Sequence, residues 1–174
     1  MADLKKYSFN KYSEKYKPLF NKDKSKLKKI FPRAKIEHVG SSSIKGLGGK
    51  GIIDIAISVP KKEIQNTIKK LQRNGYDFRP TGGDKERIFF QKIIKYNRNE
   101  RRVHIQLTHS SSKTWRSMLA VRDYLRKNPK VIKEYERVKK EAIKHAKGEG
   151  KKYRDYKKSF LQKIEKLTLK EYSN

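Results

Sequence analysis

The sequence predicts an α+β protein: a small mixed sheet flanked by helices, then a C-terminal helical subregion. Three observations carry this. Short apolar runs of strand length are bounded by Gly, Pro and Ser turns in the earlier part of the chain. Apolar residues recur at helical spacing through the last third. And 34% hydrophobic residues in a chain of 174 suffice for a buried core, so the 37% charged content marks a charged surface on a folded chain. Residues 1–174 read as one domain, with a sheet-containing part at 1–110 and a helical part at 111–174.

The elements follow in order. Residues 1–17 are basic and aromatic (Tyr7, Phe9, Tyr12, Tyr16) and read as an arm or edge segment docked by its rings. Pro18 suits the first turn of a helix, and Leu19, Phe20, Leu27 and Ile30 continue it along one face to the break at Pro32. Lys35 to Val39 and Ile52 to Val59 read as strands, the second ended by Pro60. Lys61 to Asn74 carries Ile64, Ile68 and Leu71 at helical spacing, with Gly75 closing it. Tyr76 to Arg79 suits a short strand and Pro80 to Asp84 a turn. Ile88 to Tyr96 and Arg101 to Thr108 suit an antiparallel hairpin around 97–100. Three helices complete the chain: Ser111 to Lys127 with Trp115 in its core, one restarting at Pro129, and a last one after a Gly148-Glu149-Gly150 linker.

Composition narrows the function classes. Against 18 Asp plus Glu stand 47 Lys plus Arg, a formal +29, which concentrates polyanions such as RNA, DNA, nucleotides or acidic proteins near the surface. Charge alone gives attraction without specificity. The absence of cysteine excludes disulfides, thiolate nucleophiles and thiolate zinc sites. No apolar signal core opens the chain and no run has membrane-spanning length, so a cytoplasmic protein without a membrane partner is expected.

The chemistry concentrates in residues 36–55. A short apolar strand enters Gly40-Ser41-Ser42-Ser43, a glycine-rich loop carrying Lys50 follows, and the next strand holds one acid, Asp54. Backbone N–H groups freed by glycine, serine hydroxyls and a lysine suit a phosphate; an ordinary turn closed by serine hydrogen bonds uses the same residues. A lone carboxylate in a buried-type strand needs a metal or a partner, and Arg87, His104 or a lysine can supply the latter. His38 and His104 flank Asp54 on neighbouring strand candidates. Each can serve as ligand, base or phosphate donor, or as a hydrogen-bonded core histidine.

The chain resembles the GrpB family, a branch of the DNA polymerase beta-like nucleotidyltransferase superfamily. The resemblance covers most of the chain. It rests on Glu37-His38-Val39-Gly40-Ser41 with the loop to Asp54, on Val103-His104-Ile105-Gln106-Leu107, on Arg122-Asp123-Tyr124-Leu125-Arg126 with Asn128-Pro129, Tyr135 and Lys139, and on Tyr153 with Lys157. It implies a nucleotidyltransferase-like sheet. Gly40 and Ser41 would hold the phosphates of a nucleoside triphosphate, and Asp54 would be the first metal carboxylate, a ligand for Mg²⁺. The superfamily places its next carboxylate two residues on, facing the same way, where this chain has Ala56. The strand around His104 carries no acid, and Gln106 stands where the family often has a second histidine. One Asp cannot supply the hard oxygen ligands of a metal pair.

Two functions follow as expectations. In the first, the protein transfers a nucleotidyl group to an acceptor, with Asp54, His38 and His104 catalytic. Gly40, Ser41, Ser42, Ser43, Lys50, Arg87, Arg122, Arg126, Lys139, Tyr153 and Lys157 would then bind nucleotide or phosphate. In the second it is an inactive module on the same fold that binds RNA, a nucleotide or a CoA-like phosphorylated small molecule, or serves as an accessory domain. Arg122 and Arg126 are four apart and share a helix face, either to clamp phosphate or to be held by Asp123. Tyr153 and Lys157 are likewise four apart, suited to stacking on a base or to ordinary helix packing on a basic face.

Overall fold

A computed structural model describes residues 8–96 and 98–171. Helix α1 (Tyr16–Ile30) precedes strands β1 (Lys35–Val39) and β2 (Ile53–Val59). Helix α2 (Ile64–Arg73) follows, then β3 (Asp77–Phe78), β4 (Ile88–Tyr96) and β5 (Asn99–His109). Helices α3 (Lys113–Lys127), α4 (Pro129–Ala146) and α5 (Gly150–Glu171) complete the chain. The five strands form one mixed sheet in the order β1-β2-β5-β4-β3; only β2 and β5 run parallel. Among the described residues no helix is long and apolar enough to cross a membrane.

The boundaries have local causes. Ser112 caps α3, its hydroxyl accepting from the Trp115 amide at 2.9 Å. Pro129 occupies the first position of α4, where its missing N–H costs nothing. The linker expected at 148–150 is shorter than read: Lys147 takes a left-handed conformation (φ 45°) and α5 already begins at Gly150. In the N-terminal arm, Asn10 and Gly49 exchange backbone hydrogen bonds of 2.7 and 2.9 Å, so the arm pairs with the glycine-rich loop. Tyr7 lies outside the described residues.

The strand period of two divides the sheet's chemistry between its faces. Ile55, Ile57, Ile105, Leu107 and Phe90 point to one face and form the main core with Phe20 and Leu27 of α1 and Leu71 of α2. A paired Asp23 and Arg101 tie α1 to β5 through two hydrogen bonds of 2.7 Å each. The opposite face carries Val39, Asp54, Ala56, His104 and Gln106. There Trp115, with Met118 and Leu119 beside it on α3, packs on Val39 and Ala56. Ile44 and Leu47 of the loop are buried against Leu125, Tyr135, Phe160 and Ile164 of the three C-terminal helices. The helices thereby press the loop onto the second face of the sheet, where the chemistry lies.

Candidate functional site

A cleft of about 530 Å³ opens between the second face of the sheet, the 40–44 turn and helices α3 to α5. Its polar lining includes Gly40, Ser41, Asp54, Gln106 and Lys157, its apolar lining Met118, Val121, Leu125 and Leu161, and Asp84, Glu86 and Arg87 border it too.

Asp54 stands at its base. The β1–β2–β5 register puts Val39, Asp54 and His104 in one row across the sheet. The His104 Nδ1 lies 3.3 Å from Asp54 Oδ1, which supplies the partner that a buried-type strand requires. Burial alone would raise the Asp54 pKa; the His104 hydrogen bond and charge, with Lys50 and Lys157 beyond, outweigh it and hold the carboxyl below its usual value. His104 Nε2 is buried without a hydrogen-bond partner, the ring lying edge-on to Phe89 at 4.8 Å. Gln106, one strand row further, has a likewise unpartnered Oε1.

The turn passes directly over this carboxylate. Gly40 adopts φ 69°, and a Cβ there would stand 2.6 Å from Asp54 Oδ2, so glycine is required on two counts. The Ser43 amide and hydroxyl both donate to the Gly40 carbonyl, at 3.1 and 2.7 Å. The Ser42 hydroxyl engages His38 Nε2 at 2.9 Å. Of the three serines, Ser41 is the one that lines the cleft, while Ser42 and Ser43 are buried in the turn's own closure.

The predicted site residues divide accordingly. His38 pairs with Ile55 and therefore faces the main core, on the opposite side of the sheet from Asp54. It stacks on Phe20 at 4.5 Å, and burial, with Arg126 and Arg122 adding to it against Asp54, draws its pKa down to about 4. Arg122 donates to Glu37 at 2.8 Å, to the His38 carbonyl at 3.2 Å and to its neighbour Asp123 at 2.8 Å. Arg126 donates through Nε and Nη2 to the Ser43 carbonyl, at 3.1 and 2.8 Å. Both arginines thus clamp α3 to the strand and turn. Arg87 borders the cleft, its Nε 3.4 Å from Asp84 Oδ2.

Lys139 and Tyr153, expected to bind phosphate or a base, with helix packing the alternative for the Tyr153 ring, are each only 2% exposed. Lys139 reaches under the loop to donate to the Gly48 carbonyl at 2.8 Å. Lys50 and Lys157 stand over the Tyr153 ring, 4.8 and 4.2 Å from its centroid. Burial, with repulsion from Lys50 and Arg154, brings Lys157 down to about 7 despite Asp54; burial and Lys157 hold Lys139 well below the ordinary lysine value. Ser117 and Glu165, joined by a 2.9 Å hydrogen bond across the cleft rim, escape a reading of the sequence because two helices far apart in the chain bring them together.

These residues do not fit a two-metal centre. Ala56, at the position of the second carboxylate, is fully buried under Trp115. Glu37 is directly opposite Ala56 on β1, but its carboxylate is held by Arg122. Glu86 is occupied at the start of α3, accepting from the Thr114 amide at 3.1 Å. Among the described residues no group of three or more acids and histidines is placed to hold a metal ion.

The fold is that of the nucleotidyltransferases. The structure of the Cid1 poly(U) polymerase bound to MgGTP superposes with a TM-score of 0.51 at 17% identity, covering 79% of this chain and 44% of Cid1. A crystal structure of GrpB from Enterococcus faecalis superposes far better, with a TM-score of 0.80 at 27% identity over 96% of this chain and 100% of that one. The family description "GrpB protein" matches residues 7–167, and the chain belongs to the GrpB family. The glutamate-rich protein GrpB of Alkalihalophilus pseudofirmus is 32% identical over 158 residues, spanning 88% of this chain and 90% of its own. The UPF0157 protein YqkA of Bacillus subtilis is 34% identical over 133 residues, but the match spans only 38% of that longer protein.

Proposed function

We propose that the cleft binds a nucleotide or a similar phosphorylated small molecule, and that binding, ahead of nucleotidyl transfer, is what this site is built for. The observation that carries this is the meeting of Gly40, Ser41, Asp54 and Lys157 with Met118, Val121 and Leu161 in the lining of one cleft. A phosphate suits the polar part of that lining and a base or other apolar group the rest. The cleft volume of about 530 Å³ is of ordinary ligand size. The nucleotide bound in Cid1 supports the same ligand class on this fold. Transfer is the weaker reading because Asp54 has no second carboxylate beside it on β2 or β5.

Calorimetric titration with ATP, GTP, CTP, UTP and coenzyme A, each with EDTA and with Mg²⁺, tests the reading. At least one ligand should bind, and Val121→Trp, which fills the apolar part of the cleft, should abolish that heat while leaving the fold intact by circular dichroism. Absence of heat with every ligand in both buffers would overturn it.

A further inference from the structure

We propose that Lys50, Lys139 and Lys157 form an oligophosphate subsite that works without divalent metal, their ammonium groups supplying the positive charge that the anion needs. The inference rests on the reading of the cleft as a phosphate site and adds how the phosphate charge is balanced.

The three lysines come from the loop, α4 and α5, and the fold brings them to one place. Lys50 and Lys157 flank the buried Tyr153 ring, and Lys157 also lines the cleft with Asp54 and Ser41. Lys139 reaches the same region from below: a Cβ on Gly49 would collide with both its ammonium and the Ser41 hydroxyl. Glycine at 49 therefore lets a buried cation approach the hydroxyl that faces the cleft. Arg154 adds a further cation near Lys157.

The acids that act on Lys139 and Lys157 are Asp54 and Glu136. Asp54 faces the cluster and is tied to His104. Glu136 lies near Lys139 but accepts from the Gly48 amide at 3.2 Å and pairs with Lys140 at 3.1 Å. Tyr135 and Tyr153 are buried phenols whose ring faces, not charges, meet the ammoniums. Like charges held together, one buried and two half-buried, are unfavourable unless an anion sits among them. Behind burial, which is the larger cause, the depressed basicity of Lys139 and Lys157 also reflects this repulsion. An anion with several charges, such as pyrophosphate, tripolyphosphate or the tail of a nucleotide, relieves it, with lysines acting as point charges on its oxygens. The carboxylates that would recruit a metal are absent from Ala56 and diverted at Glu37 and Glu86.

The test is calorimetric titration of the full chain with sodium tripolyphosphate at fixed ionic strength, in EDTA and in excess Mg²⁺. Binding is expected in EDTA and should weaken in Mg²⁺, which sequesters the anion and brings a like charge toward the lysines. Lys157→Met and Lys50→Met should each weaken binding about tenfold or more, the loss of one charge-assisted contact. Lys139 also ties down Gly48, so its substitution confounds folding with binding and the other two carry the test. Binding that requires Mg²⁺, or that survives both substitutions unchanged, overturns the inference. Nucleotides that bind only with Mg²⁺ overturn it and leave the cleft reading standing; nucleotides that bind in neither buffer overturn both.

Discussion

His38 is adjacent in sequence to Val39, which lies beside Asp54, yet the strand period sends its imidazole to the far face. Both histidines were legible as candidates; which of them shares a face with the acid depended on register, and a one-residue slip exchanges the answer. In its actual place, against Phe20 and Ser42, His38 is 7% exposed and its pKa falls from 6.5 to about 4. The unfolded chain therefore binds a proton that the folded chain refuses between those two values. This contribution to stability is complete above pH 6.5 and is lost as pH falls toward 4, by roughly 3 kcal/mol in all. Urea midpoints measured at neutral and mildly acidic pH should show the wild type losing more stability than His38→Gln, whose side chain does not titrate. Equal losses in the two proteins would show that His38 is protonated in the fold without penalty.

At the level of elements, the fold was largely legible because periodicity, prolines and caps are local. Strand β1 falls at the residues expected, and the hairpin of β4 and β5 and helices α1 to α4 fall close to theirs. What packs on what was not legible. The helical neighbours of Trp115 mark it as a core residue, but only the tertiary structure shows that this core is the cover over Ala56. That cover has a consequence for the missing carboxylate. Ala56→Asp restores the two-residue spacing that the superfamily uses, but the new side chain would be fully buried against Trp115, and an unpaired buried charge costs several kcal/mol. Thermal denaturation should show a clear loss of stability, on the order of 3 kcal/mol, that excess Mg²⁺ does not restore. Recovery of the wild-type melting temperature by Mg²⁺ would show that a metal can sit between positions 54 and 56 after all.

Over the whole molecule, two kinds of anion attraction have to be separated. The formal charge of +29 spreads over a surface dominated by exposed lysines, and its field acts on any polyanion. The lysine cluster is local: Lys157 lines the cleft, Lys139 is buried near it, and Lys50 lines a neighbouring pocket. Composition revealed the first at once. The second was legible only as scattered residues, because Lys50, Lys139 and Lys157 come from three elements: Lys50 and Lys157 meet over Tyr153, and Lys139 stands over Tyr135, only once α4 and α5 close over the loop. The two respond differently to substitution. Single-stranded RNA held by the general field releases counterions in proportion to the phosphates it contacts, so its affinity should fall steeply with salt, with a logarithmic slope of about −0.7 per contact. Removing one cation of 47 should barely alter that slope or the affinity. Fluorescence anisotropy of a labelled RNA oligonucleotide over a salt series, with wild type and Lys157→Met, should therefore give nearly superimposable lines, although the same variant loses about tenfold or more in tripolyphosphate binding. If Lys157→Met weakens RNA as much as it weakens tripolyphosphate, the RNA enters the cleft, and the local cluster accounts for both.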